Sequence, residues 1–326
     1  MNKKKLIDIA KDAIEIETIS LKKLRSSIGK SYEKIIKTIL NCKNGKVIIS
    51  GVGKSGIIGK KWSATLASTG TPSFFLDASD ASHGDMGQIT SNDVLILISL
   101  SGESDELKNI IQYASRNKNI KLIGITSKKN SILYKNADMN FLLPSVKEAG
   151  PGSFVPTSST TVQAALGDAI AITCMNYKKF GKLDFKKFHP GGSLSIKLKT
   201  VEDLMLTRNK IPFVNENTTM KIALKNIEKK GLGALVIRDK YYNTKGILTD
   251  GDLKRLSNLK SDFKNLEIKK VMKKKPISVD KDMLVAQALS IMNDKKITSL
   301  CVHQSNKKNR TIGFIHIHSI LNSNIS

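Results

Sequence analysis

Leu6, Ile7, Ala10, Ile14, Leu21, Leu24 and Ile28 fall on or near one stripe at helical spacing. Ile35, Ile36, Ile39 and Leu40 form a second, so the pattern predicts helix over residues 5–40. Short apolar runs then begin, at 46–50, 73–77, 93–99, 121–126 and 139–143, and helical stretches such as 57–68 and 105–116 separate them. Alternation of this kind predicts an α/β fold with a doubly wound, five-stranded parallel sheet. Ligands of such sheets bind beyond the carboxyl ends of the strands, which singles out the loops after Ser50, Asp77, Ser99 and Leu143.

After residue 200 the chain repeats itself. The run from Val214 to Leu224 matches the run from Val279 to Leu289, an offset of 65 residues, and Gly231–Ile237 continues the match against Lys296–Val302. Gly246-Ile-Leu opens a strand that Gly313-Phe-Ile mirrors, and each unit predicts helix, strand, strand, helix. The expected organisation is therefore N-terminal helices at 1–45 packing on a main domain at 46–185, a linker at 186–200, and two repeats at 201–260 and 268–326.

Composition narrows the class. Of 326 residues, 40% are hydrophobic and 25% charged, ordinary globular usage. No apolar run approaches the roughly 18 residues that cross a bilayer. The basic start is followed at once by Asp8, Lys11 and Asp12, so neither a membrane protein nor an exported one is expected. Cys42, Cys174 and Cys301 are odd in number and scattered, against a disulfide framework or a zinc ribbon, which points to the reducing cytoplasm.

The net charge of +26 would by default suggest nucleic acid. Only 6 of the 54 basic residues are Arg, however, the excess is spread along the chain, and residues 62–107 and 148–177 hold no Lys or Arg at all. A Lys-rich solvated surface, without a nucleic-acid partner, is the better reading.

Much of the candidate chemistry lies in or next to these Lys-free stretches. Gly51-Val-Gly-Lys54-Ser55-Gly56 follows a strand and opens a helix, a spacing that lets backbone N–H groups approach a phosphate. Ile48 stands where a P-loop needs Gly; a dinucleotide reading with Asp77 on a ribose remains open. Ser99, Ser101 and Ser104 surround Gly102 at the next helix start, a compact cage for a phosphomonoester. Ser104 as a plain N-cap, with Asp105 and Glu106 complementing the helix dipole, explains the two acids better than catalysis does but not Ser99 and Ser101.

Glu148 lies in a Gly- and Pro-rich turn that runs into Thr157-Ser-Ser-Thr-Thr161 and an apolar helix. A carboxylate in such a partly apolar turn is expected to have a raised pKa suited to a general base; a solvated loop acid beside a hydroxyl-rich cap is the plainer alternative. His189-Pro-Gly-Gly-Ser holds an imidazole in a rigid turn able to cover a site.

Together GVGKSG, ASTGTPSFF, SHGD, SLSGESDE, KEAGP, PTSSTT and FHPGGSL, followed by the repeat pair, resemble the D-arabinose 5-phosphate isomerases across nearly the whole chain. These enzymes have a sugar-isomerase (SIS) domain and a tandem CBS tail. The resemblance implies interconversion of D-ribulose 5-phosphate and D-arabinose 5-phosphate, supplying Kdo for lipopolysaccharide, with no required cofactor. It places the catalytic set on Lys54, Glu106, Glu148 and His189 and substrate contacts on Gly70, Thr71 and His83, besides the Ser55, Ser99, Ser101 and Ser104 phosphate loops. It further implies zinc binding at His83, as an inhibitor, and a homotetramer.

The CBS pair implies a nucleotide effector: Thr249-Asp250-Gly-Asp252 keeps the ribose and phosphate pattern that His316-Ile-His318 breaks. Leu100, Gly150 and Ser195 depart from the family pattern. Two rival readings stand beside the isomerase, an NAD enzyme and a non-catalytic sugar-phosphate sensor.

Overall fold

The computed structural model describes residues 3–189, 198–259 and 264–323 and divides into two units, Met1–Phe188 and His189–Ser326. In the first unit five parallel strands, β1 Val47–Gly51, β2 Ser73–Phe75, β3 Val94–Ile98, β4 Lys121–Thr126 and β5 Met139–Leu142, lie in the order β2-β1-β3-β4-β5. All five residues of β1 and of β3 are buried, which is why these strands read as continuous apolar runs instead of alternating ones.

The pleat sends alternate residues to two cores. Val47 and Ile49 face a layer of α1 Lys3–Ser27, α2 Lys30–Asn41, α3 Gly53–Ser68 and α7 Ser158–Tyr177. Ile48, Leu95 and Leu97 face α4 Ala78–Ala81, α5 Asp105–Arg116 and α6 Ile132–Asn136. The stripe expected as helix over 5–40 is thus two helices, broken at Ile28 and Gly29, both contacting α7.

Helices α3 and α7 fix the geometry of the site. Trp62 Nε1 donates to the Gln163 carbonyl at 2.9 Å, and a Cβ on Gly167 would fall onto the Trp62 indole, so only glycine lets the helices approach this closely. Lys61 pairs with Asp168 and Lys178 Nζ donates to Thr71 Oγ1 at 2.9 Å. Both contacts span the same 107 positions, so the two helices run parallel with their N-termini level at the carboxyl edge of the sheet. A short helix, α8 Lys182–Phe188, closes the unit.

In the second unit each repeat reads strand, helix, strand, strand, helix, one strand more than the sequence pattern predicts. The first comprises β7 Phe213–Asn215, α10 Met220–Lys230, β8 Ala234–Arg238, β9 Thr244–Thr249 and α11 Asp250–Leu259. The second comprises β11 Ser278–Asp280, α12 Val285–Lys295, β12 Ser299–His303, β13 Gly313–His316 and α13 Ile317–Leu321. The repeats exchange their leading segments. After α9 Val201–Leu204, β6 Leu206–Thr207 pairs with β13, and β10 Lys273–Lys274 pairs with β9. Ile211, Ala234, Val236, Cys301 and Phe314 form a shared core between the sheets. Among the described residues no helix is long and apolar enough to cross a membrane.

Candidate active site

The strand order reverses between β1 and β3, the switch point at which doubly wound sheets bind ligands. A Cβ on Gly56 would lie 2.6 Å from the Gly51 carbonyl and one on Gly51 2.9 Å from the Ile98 carbonyl, so the start of α3 presses onto β1 and β1 in turn lies close against β3. Lys54 is exposed and Ser55 half-buried in the first turn of α3, where N–H groups lack helical partners and the dipole favours an anion.

Beyond β3, Ser99 is buried. Its hydroxyl accepts the Gly102 N–H at 3.0 Å and lies 3.0 Å from the Ser104 hydroxyl. Gly102 has φ +69° and sits against the Ser131 side chain, a position closed to any larger residue. Ser99 therefore shapes the loop from within, and Ser101, Ser104 and the first-turn N–H groups of α5 form its outer surface. Leu100 packs against the sheet core, and its carbonyl accepts from the Ser127 N–H at 3.0 Å and hydroxyl at 2.8 Å.

Glu106 is exposed at the second position of α5. His83 follows α4, and its neighbour Ser82 accepts from Asn109 of α5 at 3.1 Å, which ties this loop to the helix that carries Glu106. Asp77, the acid of the dinucleotide reading, accepts the Ser79 N–H at 3.0 Å and caps α4.

Glu148 lies after β5, yet its Oε2 accepts from the Thr157 N–H at 2.8 Å, the Thr157 hydroxyl at 3.2 Å and the Ser159 N–H at 3.1 Å. The carboxylate thus caps α7, whose start is level with that of α3. Burial alone would raise its pKa, but hydrogen bonds from the Ser159 hydroxyl and from the Thr157 and Ser159 amides outweigh that and hold it below the usual carboxylate value. The expected raised pKa is corrected: the nearest influence is a helix N-terminus with fixed donors. Thr157 and Ser159 were legible only as a hydroxyl-rich cap, without their partner.

Gly70 and Thr71 do not join this edge. They precede β2, where Pro72 O accepts the Val47 N–H at 2.9 Å, at the amino edge and roughly 13 Å of strand away from Gly51. Gly70 has φ +87° and faces the Phe180 ring, and Thr71 is buried with its hydroxyl accepting from Lys178. Within one chain both hold the end of α3. His189 follows α8, and the turn it opens, like Ser195, lies outside the described residues.

Among the described residues no three His, Cys, Asp or Glu side chains gather as a metal set, at His83 or elsewhere. In the second unit a cavity of about 800 Å³ is lined by Thr249, Asp250, Arg255, Lys296, His316 and His318, among others. Asp252 is buried beside three of these lining residues: it accepts from the Thr249 N–H at 3.1 Å and hydroxyl at 2.7 Å and pairs with Arg255 and Lys273, which takes its pKa down to about 2.

Residues 39–173 match the SIS domain, and residues 201–258 and 268–325 match the CBS domain. The chain is 39% identical to arabinose 5-phosphate isomerase KdsD of Salmonella typhi, over 97% of this chain and 95% of that one. It is 37% identical to arabinose 5-phosphate isomerase KpsF of Escherichia coli, over 96% and 94%. A solved structure of a protein from E. coli CFT073 in complex with arabinose 5-phosphate is similar at TM-score 0.56 and 38% identity, covering 58% of this chain and all of that one. With likeness of this order along almost its whole length, the chain belongs to the arabinose 5-phosphate isomerase family, sugar-phosphate isomerases that join a SIS domain to two CBS domains.

Proposed function

We propose that the protein interconverts D-ribulose 5-phosphate and D-arabinose 5-phosphate, and that the product feeds Kdo synthesis for lipopolysaccharide. The observation that supports this reading best is the meeting of three helix starts at one sheet edge. Those of α3 and α5 suit a phosphate, and that of α7 holds the Glu148 carboxylate. Ser55, Ser101 and Ser104 bind the phosphate, with Ser99 supporting the loop.

Glu148 takes the proton next to the carbonyl. The C–H electron pair forms the C=C bond of an enediolate as the carbonyl pair moves to oxygen. The proton on Glu148 exchanges with solvent, and a solvent-derived proton is delivered to the neighbouring carbon. Lys54 offsets the negative charge that develops on oxygen, Glu106 orients a sugar hydroxyl, and His189 moves a proton between the two oxygens. The substrate and product have the same oxidation level, so the step calls for no redox cofactor.

The cationic cavity of the second unit supports a nucleotide effector. Exposed Ile14, Ile57 and Phe154 on the first unit support self-association, read here as a homotetramer in the cytoplasm. Zinc at His83 would act as an inhibitor, with ligands beyond those of one chain, and enters no step.

The test is incubation of the purified protein with ribulose 5-phosphate and no nicotinamide, followed by proton NMR for the anomeric signals of arabinose 5-phosphate. Binding that protects the protein thermally with no product would leave the sensor reading in its place.

A further inference from the structure

Thr157 occupies the N-cap position of α7 but makes no side-chain cap. A threonine there ordinarily bonds the backbone two or three residues on; here Glu148 has taken that place at the Ser159 N–H. The hydroxyl turns back to the loop instead. It accepts the Ala149 N–H at 2.8 Å, which leaves one proton to give, and its acceptors are Glu148 Oε2 at 3.2 Å and the Val155 carbonyl at 3.4 Å. The ten residues from Glu148 to Thr157 include Gly150, Gly152 and Ser153 at positive φ, a loop with no regular ladder of its own. The Thr157 side chain fastens its base.

We propose that Thr157 is a positioning residue for the isomerisation, pinning Oε2 of Glu148 so that the substrate proton is taken up at Oε1. Two fixed amides and one hydroxyl already point at Oε2, and an added proton there would face the Thr157 and Ser159 N–H groups. Oε1 accepts none of these three bonds, and of the donors to the carboxylate only the Ser159 hydroxyl is left to share it with the reacting carbon. When Glu148 is protonated, the Thr157 hydroxyl can swing to Val155 O, so it loses no acceptor during turnover. The inference rests on Glu148 being the base.

The test compares Thr157→Val, which keeps the shape without the hydroxyl, Thr157→Ala and Thr157→Ser. Loss of the hydroxyl is expected to lower kcat roughly tenfold or more with KM changed less than about twofold. It is also expected to move the acid limb of the kcat/KM profile to higher pH, with serine restoring both. The other charged groups around the loop, Lys147, Lys23 at the Ser145 carbonyl and Lys54 on α3, are untouched by these changes. Alanine carries the same expectation should valine disturb folding. An unaltered profile in a folded valine or alanine variant, or no rescue by serine, overturns the proposal. Near-normal turnover by Glu148→Gln would instead overturn the base assignment beneath it.

Discussion

The hydroxyls of Ser99 and Ser104 lie 3.0 Å apart, one buried beneath the phosphate loop and the other at its surface. Two serines of one motif therefore have separable tasks. Ser99→Ala removes the partner that holds the loop from within and is expected to cost roughly 1–2 kcal/mol. That should appear as a melting temperature lower by several degrees. Ser104→Ala, which under the proposed function removes a donor to the phosphate, is expected to raise KM for the sugar phosphate about tenfold. Steady-state kinetics beside thermal melts separate the two.

Lys54 is exposed at the start of α3, so its replacement should spare the fold. Lys54→Met is expected to lower kcat roughly 100-fold with an unchanged melting temperature, because the lost interaction belongs to the charge that develops in the transition state. A loss confined to KM would show that Lys54 only binds phosphate.

Asp252 gives the second unit a pH signature. Its folded-state pKa of about 2 lies below the ordinary 3.8, so its contribution is present above the ordinary value and is lost as pH falls from about 4 towards 2. Asp252→Asn should be less stable than the parent at neutral pH and should flatten the dependence of unfolding on pH in that window. Circular dichroism melts of both proteins at stepped pH check it.

Packing between α3 and α7 sets the spacing of the site, and Gly167 is where a single methyl tests it. Gly167→Ala would drive a Cβ into the Trp62 indole, which is itself held by the Gln163 carbonyl. The expected cost is roughly 1–3 kcal/mol, with reduced kcat because the starts of α3 and α7 move apart. Denaturant melts and initial rates on the same preparation measure both.

What could be read from the chain follows from where its information is local. The strands around Ile48, Leu95 and Ile123 announce themselves because a strand buried on both faces leaves an unbroken apolar run. The break at Gly29 does not, since the apolar stripe continues through it. Strands β6 and β10 are two residues long and pair with the opposite repeat, so neither length nor periodicity marks them. Gly70 and Thr71 stand close to the site motifs in sequence but at the other end of a strand in space. Glu148 was legible as a loop acid, and the direction of its pKa was not, because the donors that set it come from nine and eleven residues further on.

The central claim is proton transfer through an enediolate on a five-carbon sugar phosphate, and solvent deuterium reads it directly. The protein is incubated with ribulose 5-phosphate in D2O and the products are followed by NMR. The account predicts arabinose 5-phosphate carrying deuterium at C2, and no such product from Glu148→Gln. Absence of arabinose 5-phosphate, or its formation without deuterium at C2, would contradict it.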